Sequence, residues 1–417
     1  SMSLMSGPLF AQQWTLKSSI EQAYAESPEI KMVLLDLDSR KQEVQSAGLW
    51  PNPSVEVRVD NKLGTDDGSG GYDLTDITFS QPIPVARLQH QRALATSMAK
   101  IAEFDISHEQ LMLEHKIAKA FHDLQFAHAE YELAKTRLTV ADNIYNKSQK
   151  NRQGVIVRYL TPLEKMRLDI VREEARQAET SAEGAYNEAL MRFARLLNID
   201  VAAVTDMDSL THVKVEWTLE ELLQQQSQHI RLVTQQEKLV AARDEIELVK
   251  SSLLDDPEIS ISRSRDSFTQ GREDVYALMF NMQIPLWSSD SKELSRAKYN
   301  AGQQNIQLQK DKRELEIQLK QSYTHLNHLI EQAQHHKNKV LLPSSKMLEL
   351  TSRGFISGEL NMLTLLDAHN TYFSAQLRYN ELLVQAWHEL ADMRLAAGIV
   401  LVSAENITTQ QNLKGGN

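Results

Sequence analysis

The 417-residue chain has no cysteine and few residues that interrupt regular structure, with 15 Gly and 10 Pro. The absence of cysteine excludes disulfides, zinc–thiolate sites and cysteine nucleophiles. Aromatic residues are also scarce, at 6% of the chain, which favours long helices over a large globular core. Acidic residues outnumber Lys and Arg by 56 to 45, and this negative balance argues against nucleic acid as a partner.

Long apolar runs are missing as well, since none reaches the roughly 18 to 20 residues of a membrane-spanning helix. If the chain crosses a membrane, we expect strands to do so. The sequence also lacks a phosphate-binding Gly-rich loop, a His-Glu-x-x-His motif and a Gly-x-Ser-x-Gly motif. We therefore predict that the protein is not an enzyme and uses no cofactor.

An internal repeat is the most informative feature that is present. Several landmarks recur in the same order about 200 residues apart, which two unrelated helical stretches would rarely show. The landmark pairs include Thr15 with Thr218, Phe79 with Phe280, Gly154 with Gly354, Leu160 with Leu360, and Leu197 with Ala397. The sequence therefore predicts two copies of one unit, at residues 15–200 and 218–400.

The segments outside the two copies are predicted to be connections and ends. Residues 1–14 are interpreted as a cloning remnant followed by the end of a clipped signal peptide with a flexible start. Residues 201–217 are predicted to be a linker and residues 401–417 a tail. Each copy is expected to contain one helix, one β-hairpin and one helical hairpin, in that order.

The hairpins are predicted from a period of two along the chain. Val55, Val57 and Val59 alternate with charged residues, as in a strand with one apolar face. Similar alternation predicts β-hairpins at residues 54–82 and 257–285. Strands of about ten residues are long enough to cross a bilayer when tilted. Two small soluble hairpins packed on helices are the alternative. The polar loop of the second hairpin is predicted at residues 265–274.

The strand count has a consequence for assembly. Four strands cannot close a barrel, and an open sheet edge in lipid leaves backbone groups without hydrogen bonds. A membrane role therefore requires oligomerisation, and three copies would supply twelve strands.

Long helical hairpins are predicted after the strands, at residues 85–198 and 288–397. Apolar residues spaced seven apart, such as Leu319 and Leu326, predict a coiled-coil-like seam. The first helix of each hairpin, about 65 residues long, would form a rod of about 100 Å. Pro343 interrupts the second rod alone, so we expect the two copies to differ there. The predicted fold class is mainly α with membrane β-strands.

Over residues 15–400 these patterns resemble the TolC family of outer-membrane efflux ducts. The most specific match is the run Leu-Asn-Met-Leu-Thr-Leu-Leu-Asp-Ala at residues 360–368, similar to the family's turn at the periplasmic end. The resemblance implies a homotrimer with a 12-stranded barrel and a periplasmic α-helical tunnel, in the outer membrane of a Gram-negative bacterium. It also implies a periplasmic adaptor and an inner-membrane pump, of the RND type, as partners.

The resemblance implies a pore gate at Asp367 and Thr364. The family can carry two acidic residues three apart at its periplasmic mouth, and here Thr364 replaces the first of them. Three Asp367 side chains in a trimer would form an anionic ring, which favours cations. The alternative is that Asp367 is an ordinary solvated carboxylate.

The resemblance also implies that helix tips contact the adaptor. The implied contact residues are Arg152, Gly154, Leu160, Thr161, Leu163, Arg353, Gly354, Leu360, Asn361 and Leu363. We expect Gly154 and Gly354 to adopt positive φ in tight turns, although ordinary helix termination would explain them equally well.

Histidines raise the question of cargo. His108, His115 and His122 are seven apart, and the other cluster comprises His325, His328, His335 and His336. No carboxylate or thiolate pattern completes a closed site, so no resident metal is predicted. The Trp-Pro-Asn-Pro run at residues 50–53 is similar to the CzcC-like heavy-metal branch of the family. The resemblance thus implies an exit duct for heavy-metal cations, with drug efflux, type I protein secretion or a soluble coiled-coil scaffold as alternatives.

Overall fold

The computed structural model describes residues 13–60, 74–85, 87–149, 161–204, 206–253, 255–266, 273–284 and 292–402. The helices are α1 (Leu16–Glu26), α2 (Pro28–Ser46), α3 (Arg87–Gln149), α4 (Pro162–Leu197), α5 (Leu219–Gln226), α6 (Ile230–Ser251), α7 (Lys292–His336), α8 (Leu342–Ile356) and α9 (Met362–Ala397). The strands are β1 (Gln13–Trp14), β2 (Ser54–Asp60), β3 (Leu74–Pro82), β4 (Asp206–Met207), β5 (Glu258–Asp266) and β6 (Glu273–Asn281). None of these helices contains a stretch both long and apolar enough to cross a bilayer.

Two compact units make up the fold. The helical unit contains residues up to Lys31, Ser107–His229 and residues from Arg313 onward, and the sheet unit contains Met32–Ile106 and Ile230–Lys312. These units cut across both predicted copies of the repeat. The division of the chain into residues 15–200 and 218–400 therefore stays a prediction from the sequence.

Threonine caps begin three of the helices, for a reason visible in the sequence. Thr15, Thr161 and Thr218 each precede a helix, and each hydroxyl accepts a hydrogen bond from the backbone N–H three residues on. At Thr161 and Thr218, the carboxylates of Glu164 and Glu221 accept a hydrogen bond from the backbone N–H of the cap residue. These capping boxes satisfy backbone donors that have no partner inside the helix. The predicted starts at Thr15 and Thr218 are confirmed.

The second helices of the two hairpins, α4 and α9, match closely. Both have 36 residues, and they end at Leu197 and Ala397, within one residue of the predicted ends of the helical hairpins at 198 and 397. Each ends at a left-handed residue, Asn198 with φ 53° and Gly398 with φ 73°. A side chain at position 398 would meet His229, because a Cβ there would lie 2.9 Å from the imidazole Cδ2.

One apolar core of the helical unit lies between α5, α7 and α9. Leu319 and Leu326 are fully buried, together with Leu222, Leu390 and Met393. The two leucines belong to the seven-residue repeat, so the predicted seam on α7 is confirmed there. A second, smaller apolar cluster of the same unit lies where α8 is followed by α9.

Pro343 changes the path of the helix in the second copy. The ring of proline clashes with the preceding helical turn, and proline has no N–H to donate. Helix α7 passes into a π-helical turn, Lys337–Leu341, and α8 follows with Pro343 as its second residue. In the first copy, α3 continues to Gln149 without such a turn. The predicted asymmetry at Pro343 is therefore present.

The sheet unit contains one antiparallel sheet with the order β2-β3-β5-β6. The hairpin of each copy contributes two adjacent strands, and β3 pairs with β5 across the copies. The predicted loop at residues 265–274 was too long, because Arg265 and Asp274 are partners in the ladder. The sequence alone does not show that charged residues at the end of a strand still take part in its ladder.

Candidate functional site

The sheet carries its apolar side chains on one face. In the register of the strands, Val55, Phe79, Ile261 and Leu278 form one row across all four strands. Since side chains alternate along a strand, the same face collects every second residue. Its ten apolar members are Val55, Val57, Val59, Ile77, Phe79, Ile259, Ile261, Tyr276, Leu278 and Phe280. Each is at least 37% exposed, so no described part of the chain covers this face.

The opposite face of the sheet is mainly polar. Ser80 and Ser260 share a hydrogen bond of 2.8 Å, and the Ser264 hydroxyl donates to Asp76. Strand β6 departs from this pattern, since it places Val275, Ala277 and Met279 on the polar side. An apolar outer face with a hydrogen-bonded polar inner face is typical of strands that separate lipid from a water-filled interior.

Amphipathic side chains stand near both ends of the apolar face. Trp50, which precedes β2 by four residues, is exposed at the end where the strands meet the helices. Toward the hairpin loops, Tyr276 is followed on the same face by Asp274 and by its partners Arg263 and Arg265. Tryptophan and tyrosine concentrate at membrane–water boundaries because one part of each ring is apolar and another polar.

A tight turn joins α8 to α9 in the helical unit. Gly358 has φ 81° and provides the left-handed step. The N–H groups of Glu359 and Leu360 both donate to the Gly354 carbonyl, at 2.9 and 3.0 Å. Asn361 then caps α9, because its Oδ1 accepts from the backbone N–H of Thr364 at 2.8 Å.

The prediction of positive φ at Gly354 was wrong. Gly354 lies inside α8, and among the described glycines the left-handed residues are Gly358 and Gly398. Position 354 excludes a side chain for a different reason, since a Cβ there would lie 2.7 Å from Leu360 Cδ1. The counterpart, Gly154, lies outside the described residues.

A small cluster under the turn joins four helices of the helical unit. Leu168 of α4 packs with Met362 and Leu366 of α9, and all three are buried. Around them lie Ile144 and Tyr145 of α3, Val171 of α4 and Phe355 of α8. The turn is therefore fixed to both helical hairpins by apolar contacts.

The two predicted gate residues lie on the first turns of α9. Asp367 is exposed, in agreement with either a pore carboxylate or a solvated one. Thr364 is exposed too, but its hydroxyl donates to Asn361 Oδ1 at 2.8 Å and so belongs to the cap. Asp367 and Thr364 are close along the helix, yet only the carboxylate is left for an interaction with ions.

The predicted adaptor contacts in the described residues lie around the helix tips. Leu163 and Leu363 are exposed, Arg353 forms an ion pair with Glu349, and Thr161 and Asn361 are caps. Arg152, Gly154 and Leu160 lie outside the described residues. Sequence reasoning missed Met166 and Ile170, which continue the exposed apolar surface of Leu163 along α4. Their spacing of three and four residues, which places them on one face of a helix with Leu163, is the sequence pattern that could have indicated this surface.

The histidines of α3 do not act as one stripe. His115 lies 2.6 Å from Asp392, which Lys119 also contacts at 2.7 Å. Burial alone would raise the pKa of Asp392, but these two hydrogen bonds bring it below its ordinary value. His122, by contrast, is buried against Trp387 with ring centroids 4.2 Å apart, and burial lowers its pKa to about 4.

The histidines of α7 line an open groove between α7 and α9. Its volume is about 570 Å³, and its lining residues are His328, Glu331, Gln332, His335, His336, Arg378 and Leu382. The fourth histidine of the cluster, His325, pairs with Glu389 at 2.8 Å. Within the described residues, no three His, Asp or Glu side chains are arranged to hold a metal ion.

Comparison with solved structures identifies the fold as that of outer-membrane channels. The Campylobacter jejuni CmeC outer membrane channel superposes with a TM-score of 0.76 at 13% identity, over 100% of this chain and 95% of that one. CusC, whose structures describe transmembrane channel formation, gives 0.74 at 15% identity over 95% and 98%. The open state of the Neisseria gonorrhoeae MtrE outer membrane channel gives 0.73 at 16% identity over 95% and 93%.

These similarities establish the fold. No protein-family model and no curated protein sequence matches the chain. The predicted resemblance is nevertheless confirmed at the level of the fold, since the chain, with its long helical hairpins and four antiparallel strands, superposes on outer-membrane channels over nearly its whole length.

Proposed function

We propose that the chain is one protomer of a passive exit duct in the outer membrane of a Gram-negative bacterium. The observation that carries the proposal is the exposed apolar face of the sheet. Ten large apolar side chains facing water would cost about 25 cal/mol for each Å² exposed, whereas lipid solvates them without that cost. A soluble coiled-coil scaffold would have no use for such a face.

The edges of the sheet support a trimer. The sheet ends at β2 on one side and β6 on the other in the described part of the chain. Unpaired backbone groups at these edges would be unfavourable in lipid, and the only repeated partner of matching length is another copy of the sheet. Three copies provide twelve strands, and the polar face then lines the lumen.

The helical tips support docking of a periplasmic adaptor, which in turn contacts an inner-membrane pump. Leu163 is 73% exposed and forms an apolar surface with Met166 and Ile170. Leu363 presents a smaller apolar patch at the matching position of the second copy. Exposed apolar patches of this kind mark interaction sites. The remaining described contacts of this proposed docking surface are Thr161, Arg353, Gly354, Leu360 and Asn361.

Asp367 is the proposed gate residue. It is exposed, and the cluster of Leu168, Met362 and Leu366 holds its helix at a defined position. In a trimer, three such carboxylates would form an anionic ring that favours cations over anions.

Heavy-metal cations are the proposed cargo, delivered by a pump of the RND type. The groove lined by His328, His335 and His336 supports this choice, because imidazole binds Zn²⁺, Cu²⁺ and Ni²⁺. Its open shape is suited to transient contact. A duct for drugs or for secreted proteins would not need imidazoles at this position.

Cell fractionation tests the duct proposal. The full-length protein, expressed in Gram-negative cells, should enter the outer-membrane fraction as a trimer that heat converts to monomers on SDS gels. Recovery as a soluble monomer would favour the scaffold. Deletion of the gene should then sensitise cells to Zn²⁺, Cu²⁺ or Ni²⁺, whereas sensitivity to drugs alone would reject the metal cargo and retain the duct.

A further inference from the structure

We infer that Arg263 and Arg265 form a binding site for the phosphate group of an outer-leaflet lipid. The inference rests on the proposed function, because it needs the apolar face of the sheet to lie in the outer membrane. It adds a lipid-binding site to the duct.

The two arginines belong to the lipid-facing surface. Along β5, Ile259, Ile261, Arg263 and Arg265 alternate with serines, and the serines occupy the polar face. Arg263 therefore shares a row with the exposed Tyr276, and Arg265 shares the next row with Asp274. Both guanidinium groups project from the same face as the apolar side chains.

The arginines are held together by one carboxylate. Arg263 Nη2 donates to Asp274 Oδ2 at 2.9 Å, and Arg265 Nε donates to Asp274 Oδ1 at 2.9 Å. Both arginine side chains are about half exposed. Two arginines and one aspartate leave this cluster with a net positive charge. Each guanidinium has five N–H donors, and the contact with Asp274 uses one from Arg263.

The position of the cluster matches a headgroup level. Arg265 pairs with Asp274 one residue before the last pair of the ladder, Asp266 with Glu273, so the cluster lies at the loop end of the sheet, beyond the rows that hold Ile261 and Ile259. The lipid-facing apolar band of such proteins is about 25 Å tall. Arg263 and Arg265 therefore lie where acyl chains give way to headgroups, the depth at which a lipid-facing arginine is tolerated.

The end of the sheet identifies the leaflet. Both hairpins reverse direction at the end with Arg265, while the helices attach at the other end. If the helices lie in the periplasm, Arg265 faces the outer leaflet. Guanidinium groups bind phosphate with paired N–H donors, so phosphorylated lipid is the ligand that this depth and charge fit.

The test compares lipid retention by purified trimers. Delipidated protein in neutral detergent is titrated with lipid A or with zwitterionic phosphatidylcholine, and bound lipid is counted by native mass spectrometry. We expect the wild type to retain lipid A, and Arg263→Gln with Arg265→Gln to weaken retention about tenfold, in line with the loss of charge-assisted hydrogen bonds. Arg58→Gln, on the other face of the same sheet, is the matched control and should retain lipid A fully.

Further measurements keep the outcomes separate. The Arg263→Lys, Arg265→Lys variant retains charge but not the planar fork, so it should bind lipid A with intermediate affinity and confirm that the fold is intact. Equal retention by wild type and the double glutamine variant would overturn the inference, as would displacement of lipid A by millimolar inorganic phosphate. Channels that conduct in phosphatidylcholine bilayers without preferring lipid A would reject the site and keep the duct. Failure to insert at all would reject the proposed function itself.

Discussion

The two copies of the repeat begin their second helices with different chemistry at matching positions. In the first copy, the Glu164 carboxylate accepts a hydrogen bond from the backbone N–H of the cap residue Thr161, so it stabilises the helix end. In the second copy, Asn361 caps the helix and Thr364 takes the place of Glu164. The exposed carboxylate, Asp367, stands one turn further along. An acidic residue near a helix start is therefore structural in one copy and exposed to solvent in the other.

The charge at this further turn is also reversed. Arg167 occupies the position in the first copy that Asp367 occupies in the second, and both are exposed. In a trimer the six tips would carry alternating cationic and anionic side chains. The two copies therefore keep the same helix geometry and place opposite charges at a matching position.

The largest expected effect is a loss of stability at Leu168, a residue of the first copy that packs under the turn of the second. Leu168 of the first copy is 1% exposed under the turn of the second. Leu168→Ala should lower the free energy of unfolding by about 2–5 kcal/mol, because it leaves a cavity. Denaturant titration followed by circular dichroism measures this loss. Met166→Ala, an exposed neighbour, should change stability by less than about 0.5 kcal/mol, and equal losses in both variants would contradict a supporting role for Leu168.

The next effect concerns His122, which is buried on α3 of the first copy. A pKa lowered to about 4 means that the folded state resists protonation of His122. As pH falls from about 6.5 to 4, the unfolded chain binds a proton that the folded chain does not, so stability should fall by up to about 1.4 kcal/mol per pH unit.

The variant His122→Gln should lose this acid sensitivity, which thermal unfolding at pH 7, 6, 5 and 4 would reveal. His328→Gln, an exposed substitution in the second copy, serves as the control and should leave the pH profile unchanged. A wild-type profile that is flat between pH 6.5 and 4 would contradict the assignment to His122.

Some of this architecture could be predicted because it depends on residues adjacent in the chain. The bounds of α4 and α9 follow from their capping residues and from the left-handed ends at Asn198 and Gly398. Alternation alone indicated the strands and their apolar face. Whether other elements cover the apolar face depends on how distant segments pack, and no local sequence pattern encodes that packing.

Other features depended on partners distant in sequence. His122 is buried by Trp387, and the ladder position of Arg265 depends on Asp274 across the hairpin. Gly354 appeared to need positive φ, but its requirement comes from the side chain of Leu360. The candidate gate at Asp367 came from resemblance to a family, and its role stays a prediction.

A smaller effect on stability distinguishes Gly354 from Gly358, the two glycines near the turn between α8 and α9. Gly354→Ala should cost about 1–3 kcal/mol through crowding against Leu360, and Leu360→Ala in the same chain should relieve that cost. Gly358→Ala should cost about 1 kcal/mol because φ is positive, and Leu360→Ala should not relieve it. A double-mutant cycle from thermal unfolding measures both couplings. A Gly354→Ala penalty that persists without the leucine would restore the backbone explanation.

The smallest effect concerns the opposed charges at the tips. Asp367→Asn should reduce cation preference about twofold in planar bilayers, and Arg167→Gln should increase it by a similar factor, because each change alters one ring of charges in a screened pore. Reversal potentials under a KCl gradient give both values. If neither substitution changes selectivity or conductance, Asp367 is an ordinary surface carboxylate.

The left-handed residues that end α4 and α9 have a consequence for the substitutions that each helix end can accept. Asparagine tolerates the φ of 53° at position 198, as glycine does, so mutation can exchange the two there with little loss. At position 398 the imidazole of His229 closes the space where a side chain would stand. The two matching sites therefore differ in what they tolerate, since position 198 accepts asparagine or glycine and position 398 accepts glycine alone for as long as His229 remains.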